Sequence, residues 1–158
     1  EALLKIYPDA RFIWPHRDPV RALASQISLV GTVQWGRTDH PFKGVAFEYM
    51  TDPNWSAQRL NAAIDQLELG RVPKRQISHI LYTDLVGNTM PTLERIYGHL
   101  GLALSDVGRA AMGAYLALHP REARPPHKVS MTEDAIALAR RAYRRYQKYF
   151  NVPAEQDW

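Results

Sequence analysis

A short apolar run that passes almost directly into a helix start is the feature that most constrains the fold of this chain. The run Phe12–Trp14 favours an extended, buried strand, and Asp18 and Pro19 are typical of the cap and first position of a helix. A strand followed so closely by a helix is typical of α/β folds. We therefore expect Arg17 to lie where the strand ends and the helix begins.

The helix predicted from Pro19 has one apolar and one polar face. Its apolar residues recur at i, i+3, i+4 and i+7, which predicts a buried stripe of Val20, Leu23, Ala24 and Ile27. The neighbouring face carries Arg21, Ser25 and Ser28. This polar face continues from the position of Arg17, so a guanidinium and a hydroxyl are expected on one side of the helix.

Arg17 is placed to hold a phosphate. The unpaired N–H groups of the first turn and the positive end of the helix dipole would add to its guanidinium. Ligands of open α/β sheets also bind outside the carboxyl ends of the strands. The sequence leaves an alternative open, in which Arg17 pairs with Asp18 or another nearby carboxylate and Ser25 only faces water.

A second apolar run, Ile77–Tyr82, predicts another buried strand. Tyr82 ends it as Arg17 ends the first, so both side chains are expected on the same rim of the sheet. An aromatic ring and a cation suit a nucleotide, because the base can stack while the phosphate takes the charge. The alternative is a half-buried Tyr82 with its hydroxyl in water.

The remaining pattern is mostly helical. Four further helices are predicted. The first runs from Pro53 to a stop at Gly70, and the second ends at Gly101. The third spans 105–117, and the fourth begins at the capping-box spacing of residues 130–133. The last is expected to be one helix, with an inner face of Ala135, Leu138, Ala139, Ala142, Tyr146 and either Tyr149 or Phe150. Residues 31–51 show no periodicity and are expected to form a long loop with a short helical piece that holds a substrate.

These elements predict an α/β protein with a parallel sheet flanked by helices, in one domain over residues 1–158. Two strands are too few to bury both faces of such a sheet, so further strands come from sequence before Glu1 or from another chain. We favour the first explanation and expect an amino-terminally truncated domain, because Glu1 reads as the interior of a helix.

Composition excludes several classes of protein. Without cysteine, the chain has no disulfides, thiolate catalysis or thiolate zinc site. The lack of cysteine also fits a reducing compartment, so a cytoplasmic protein is expected. No run approaches the ~18–20 apolar residues of a membrane span, so no membrane partner is expected. The net charge of +4, concentrated between Pro120 and Phe150, favours an anionic partner.

The loop from His119 to Ser130 carries three cations between prolines. They are Arg121, Arg124 and Lys128. The loop could close over an anion or be a solvated connector. His119 and His127 lack a third ligand at a supporting spacing, so no metal is expected.

Together these segments resemble sulfotransferases that use 3′-phosphoadenosine 5′-phosphosulfate (PAPS), most closely the bacterial branch. The matching segments, in the same order as in the family, are Tyr7–Phe12, His16–Pro19 with Ser25, Leu81–Val86, Leu93–Leu102 and Pro120–Ser130. The resemblance implies part of a P-loop-like three-layer fold. It also implies transfer of a sulfuryl group from PAPS to a hydroxyl or amine of a small acceptor, without a metal.

The resemblance assigns roles residue by residue. Arg17 and Ser25 have the family's spacing for holding the 3′-phosphate, and Tyr82 matches the strand-end tyrosine near the adenine. Arg121 matches the basic loop that closes over the same phosphate, with Arg124 and Lys128 as neighbours. The family's glycine-rich phosphosulfate loop and its base have no counterpart here, so the catalytic residues are unassigned.

Two other classes stay open. The basic carboxyl-terminal half would suit a nucleotide- or nucleic-acid-binding module without catalysis, although no known nucleic-acid motif is present and Arg140, Arg141, Arg144 and Arg145 are expected on the solvent side of a helix. A degenerate family fragment with only structural value is the third class. A homo-oligomer is compatible with all three.

Overall fold

A computed structural model describes residues 2–40, 48–123 and 130–155. In chain order its elements are α1 (Ala2–Ile6), β1 (Phe12–His16), α2 (Pro19–Trp35), α3 (Pro53–Glu68), β2 (Ile77–Leu81), α4 (Tyr82–Gly87), α5 (Thr89–His99), α6 (Asp106–Leu118), α7 (Glu133–Ala142) and α8 (Arg144–Phe150). Short 3-10 turns span Glu48–Thr51, Lys74–Gln76 and Arg121–Ala123. The described residues divide into two compact units, 2–16 with 69–123, and 17–40 with 48–68 and 130–155.

The first unit contains a parallel pair of strands. β1 and β2 pair in register from Phe12 with Ile77 to His16 with Leu81. Helices α4 and α5 pack on β2, where Ile80 and Ile96 form a small core with Leu100. The predicted α/β class with a parallel sheet is therefore confirmed, and the single-domain expectation stays a prediction.

The strands differ from the sequence expectation in two details. Side chains in β1 alternate in exposure and Ile13 is 51% exposed, so the prediction of a continuously buried run was wrong. The reason is the two-residue period of a strand, which turns alternate side chains to opposite faces. In β2 the strand ends at Leu81, and Tyr82 is the first residue of α4 rather than the last of the strand.

The second unit is helical, and its core lies between α2, α3 and α7. The buried residues there are Val20, Leu23, Ala57, Ala139 and Tyr143. The stripe predicted for α2 is confirmed, because Ala24 is buried as well and Ile27 packs against the core. In α3 the buried residues are Ala57 and Ile64, and the helix ends at Glu68, just before Gly70, whose φ of +67° suits glycine.

The helix α2 is longer than its sequence predicts. It continues to Trp35, so the irregular region does not begin at Gly31. A glycine inside a helix costs only about 1 kcal/mol relative to alanine, which its neighbours offset. Of the predicted loop, residues 36–40 and the turn Glu48–Thr51 are described, and 41–47 lie outside the described residues.

The predicted last helix is two helices. It is capped by Thr132, whose hydroxyl accepts from the backbone N–H of Ala135, rather than by Ser130. The helix breaks at Tyr143, which is buried, and Leu138, predicted to face inward, is 43% exposed. Ala139, Tyr143 and Tyr146 are nevertheless buried at the spacing i, i+4 and i+7, so the buried side keeps the helical period across the break. Over the described ranges, no helix is both long and apolar enough to cross a membrane.

Candidate anion site at the start of α2

The start of α2 is organised around the buried carboxylate of Asp18. Its Oδ1 accepts from the backbone N–H of Val20 at 3.0 Å, which confirms the predicted N-cap. Both oxygens also accept from the guanidinium of Arg140, at 2.5 and 2.6 Å, and Oδ2 accepts from the backbone N–H of Glu155 at 2.8 Å. A carboxylate buried without such partners would be very costly, so this network fixes the helix start.

Arg140 therefore has a different place from the one expected. The sequence put it on the solvent side of its helix, whereas its side chain is only 26% exposed and pairs with Asp18. Long basic side chains extend along a helix surface and bring their charged ends to partners that periodicity does not reveal. The expectation that this arginine faces solvent was wrong.

Arg17 follows β1 directly and binds the carboxylate of Glu155 through two parallel hydrogen bonds. Its Nε donates to Oε1 and its Nη2 donates to Oε2, both at 2.8 Å. This bidentate geometry is the one a guanidinium uses for carboxylates and phosphates alike. A pairing of Arg17 with a carboxylate was the alternative that the sequence left open, although the partner is Glu155 rather than Asp18.

A second guanidinium approaches the same carboxylate. The Nε of Arg21 lies 3.9 Å from Oε2 of Glu155, and the side chain of Arg21 is 18% exposed. Ser25 is half-buried one turn further along α2, four residues after Arg21, and therefore lies on the same helix face. Two arginines thus converge on one oxyanion, with a hydroxyl-bearing residue one turn away.

The ion pairs of this cluster join arginines to two carboxylates. Among the described residues, Arg17 and Arg21 both contact Glu155, and Arg140 pairs with Asp18. The donor set fits a phosphate, because the carboxylate in contact with it is also an oxyanion that accepts two parallel hydrogen bonds.

The other predicted site residues lie in the first unit or outside the described residues. Tyr82 is half-buried at the start of α4, directly after the strand position that pairs with His16. Arg121 is exposed in its 3-10 turn. Arg124 and Lys128 lie outside the described residues. Their convergence with Arg17 on one ligand stays a prediction.

A histidine pair lies at the end of the sheet. Nε2 of His16 is 2.9 Å from Nδ1 of His79, and the ring of Trp14 lies against both imidazoles. Burial, with the charge of His79 second, lowers the pKa of His16 to about 4, and burial likewise lowers the pKa of His79. Both rings are therefore neutral at pH 7. Within the described ranges no group of three or more potential ligands is placed to hold a metal ion.

Sequence reasoning missed Glu155 and Arg140, which complete the cluster around Asp18 and Arg17. They lie 138 residues from Arg17 and 122 from Asp18, so no local pattern connects them. Arg21 was placed on the correct helix face, but its approach to a shared anion was not foreseen.

Comparison with known proteins identifies the family of the chain and a similar fold. Residues 1–106 match the model of the sulfotransferase family. The fold is similar to that in the crystal structure of sulfotransferase STF9 from Mycobacterium avium, with a TM-score of 0.72 and 24% identity over 99% of this chain. The chain spans 40% of that protein's length. No match was found among curated proteins. The family match covers well over half of the residues, and the chain belongs to the sulfotransferase family.

Proposed function

We propose that the protein transfers a sulfuryl group from PAPS to a hydroxyl or amine of a small acceptor, and that this chain holds the 3′-phosphate and adenine side of the cofactor. Membership of the sulfotransferase family supports the reaction class. The observation that carries the cofactor role is the bidentate hold of Arg17 on an oxyanion at the junction of β1 and α2.

The chain's own residues then have distinct tasks. Arg17 donates two hydrogen bonds to the 3′-phosphate, and the hydroxyl of Ser25 donates a third from the same side of α2. Tyr82 offers a ring face to the adenine. Arg121, with Arg124 and Lys128, supplies charge from the loop that follows α6.

When bound, the cofactor supplies the sulfuryl group and a bisphosphate that leaves. Charge collects on the peripheral oxygens during such a transfer, so positioning and cationic stabilisation carry much of the catalysis. An anchor on the 3′-phosphate contributes by fixing the orientation of the nucleotide relative to the acceptor. We place the acceptor near residues 31–51, and assign no metal to the reaction.

Calorimetry with adenosine 3′,5′-bisphosphate on the intact protein tests the cofactor role. Replacing Arg17 by alanine removes two charge-assisted hydrogen bonds, so we expect the affinity to fall roughly ten- to a hundredfold. Arg144→Ala is the matched control, because Arg144 is an exposed arginine on α8 and its loss changes the net charge equally. An unchanged dissociation constant in Arg17→Ala would reject the proposed function of this site.

A further inference from the structure

Glu155 occupies the position that the proposed function gives to a phosphate. Its two carboxylate oxygens take the donor pair that Arg17 presents through Nε and Nη2, and one of them is also the oxygen nearest to Arg21. A guanidinium cannot give the same pair of donors to a carboxylate and to a phosphate at once. A phosphate and the carboxylate of Glu155 therefore cannot occupy this pair of Arg17 donors at the same time.

We infer that Arg17 and Arg21 form one anion site and that Glu155 is its internal occupant, which competes with the 3′-phosphate of the cofactor. The inference rests on the proposed function and goes beyond it, because it adds Arg21 to the binding residues and assigns a regulatory role to Glu155.

The segment that carries Glu155 is held independently of its carboxylate. The backbone N–H of Glu155 donates to Asp18 at 2.8 Å, its carbonyl oxygen accepts from Arg140 at 3.5 Å, and Val152 three residues earlier is buried. The side chain can thus leave Arg17 by rotation about its own bonds while the backbone stays in place. Its 26% exposure gives the released carboxylate access to water.

Its charge helps a phosphate to displace the carboxylate of Glu155 from Arg17. A phosphate dianion carries more charge than the carboxylate it replaces and offers three acceptor oxygens, so it interacts more strongly with two guanidiniums. A singly charged ligand of carboxylate size has no such advantage over Glu155. The internal carboxylate therefore selects for a doubly charged group and lowers the apparent affinity for it.

Neutralising Glu155 tests the competition. In calorimetry on the intact protein, Glu155→Gln should bind adenosine 3′,5′-bisphosphate about tenfold more tightly than the wild type, since one charge-assisted competitor is lost. Adenosine 5′-monophosphate, which lacks the 3′-phosphate, should show the same dissociation constant for both proteins. Glu133→Gln is the control for net charge, because Glu133 is an exposed acid on α7 of the same unit.

Two further variants complete the test. One examines the role of Arg21, and the other keeps the test informative if Glu155→Gln folds poorly. Arg21→Gln should weaken bisphosphate binding about tenfold, because it removes the second positive charge of the site. Glu155→Asp keeps the charge but withdraws the carboxylate by one methylene, and should give an intermediate gain even if Glu155→Gln folds poorly.

The outcomes separate this inference from the proposed function. Unchanged or weaker bisphosphate binding in the Glu155 variants, or unchanged binding in Arg21→Gln, overturns the inference even where Arg17→Ala loses affinity as proposed. Unchanged binding in Arg17→Ala, or no binding to any variant, overturns the proposed function together with it.

Discussion

The imidazoles of His16 and His79 are hydrogen-bonded to each other at the end of the parallel sheet, with Nε2 of one 2.9 Å from Nδ1 of the other. Such a bond requires at least one neutral ring. Only 2% of His16 is exposed, so this ring also has little water to stabilise a charge. The pair therefore links the stability of the first unit to pH.

The first prediction concerns acid stability. The pKa of His16 is lowered to about 4 from an ordinary value of 6.5, so between these values the unfolded chain binds more protons than the folded one. Stability is full above pH 6.5 and falls towards pH 4, by up to about 3 kcal/mol from this group. Urea unfolding at several pH values measures the slope.

Two variants test whether His16 causes this pH dependence, His16→Gln and its control His40→Gln. The first removes the group with the shifted pKa and should flatten the profile between pH 6.5 and 4. The second replaces an exposed histidine and should leave the profile as it is. A slope that persists in His16→Gln would show that other groups cause it.

The second prediction compares two Asp-Pro helix starts. Asp18 is buried and holds Arg140, whereas Asp52 is exposed and caps α3 by accepting from the N–H of Asn54 at 2.9 Å. Asp18→Ala leaves the guanidinium of Arg140 without its carboxylate partner and should lower the free energy of unfolding by about 3–5 kcal/mol. Asp52→Ala removes only a helix cap and should lower it by about 1 kcal/mol. Urea unfolding of both variants measures the difference, and equal costs would contradict the role of the Asp18 network.

The third prediction concerns Tyr143, the buried tyrosine at the break between α7 and α8. Its hydroxyl is hydrogen-bonded to the hydroxyl of Ser56 on α3, and burial raises the pKa of this tyrosine. Tyr143→Phe should cost about 1 kcal/mol, because it leaves Ser56 with fewer partners. A double-mutant cycle with Ser56→Ala isolates the pair, and Tyr149→Phe, at a side chain 41% exposed, is the control.

The fourth prediction separates the enzyme from a nucleic-acid-binding module. Arg145 pairs with Asp65 at 2.7 Å and Glu68 at 3.0 Å, and Arg140 pairs with Asp18, so part of the positive charge of α7 and α8 is neutralised. We expect fluorescence anisotropy to show weak binding to nonspecific DNA beside selective binding of adenosine 3′,5′-bisphosphate. Tight DNA binding that is lost steeply between low and moderate salt would favour the module.

The local features of the fold were predictable from sequence because their causes are local. Asp18 and Pro19 mark a helix start by hydrogen bonding and a fixed φ, and the apolar stripe of α2 follows from the helical period. Ser105 caps α6 in the same way, one residue before the observed helix. Each of these signals involves residues within two turns of one another.

The candidate site was predictable only in part because its charges come together through tertiary structure. The sequence identified the position of Arg17 and the face of Arg21 and Ser25, and it named a carboxylate partner as an alternative. It could not identify Glu155, since its contact with Arg17 depends on how the residues after α8 return to α2. The break at Tyr143 was not predicted either, because the buried residues Ala139, Tyr143 and Tyr146 keep a helical spacing across it.

The parallel pairing of β1 with β2 has a consequence for the order of folding. Register partners such as Phe12 and Ile77 are about 65 residues apart, and the whole of α2 and α3 lies between them. Closing so long a crossover costs chain entropy before any strand contact repays it, so strand docking is expected late, after the intervening helices have formed. In refolding, helical circular dichroism should therefore recover earlier than hydrogen-exchange protection of the amides in β1.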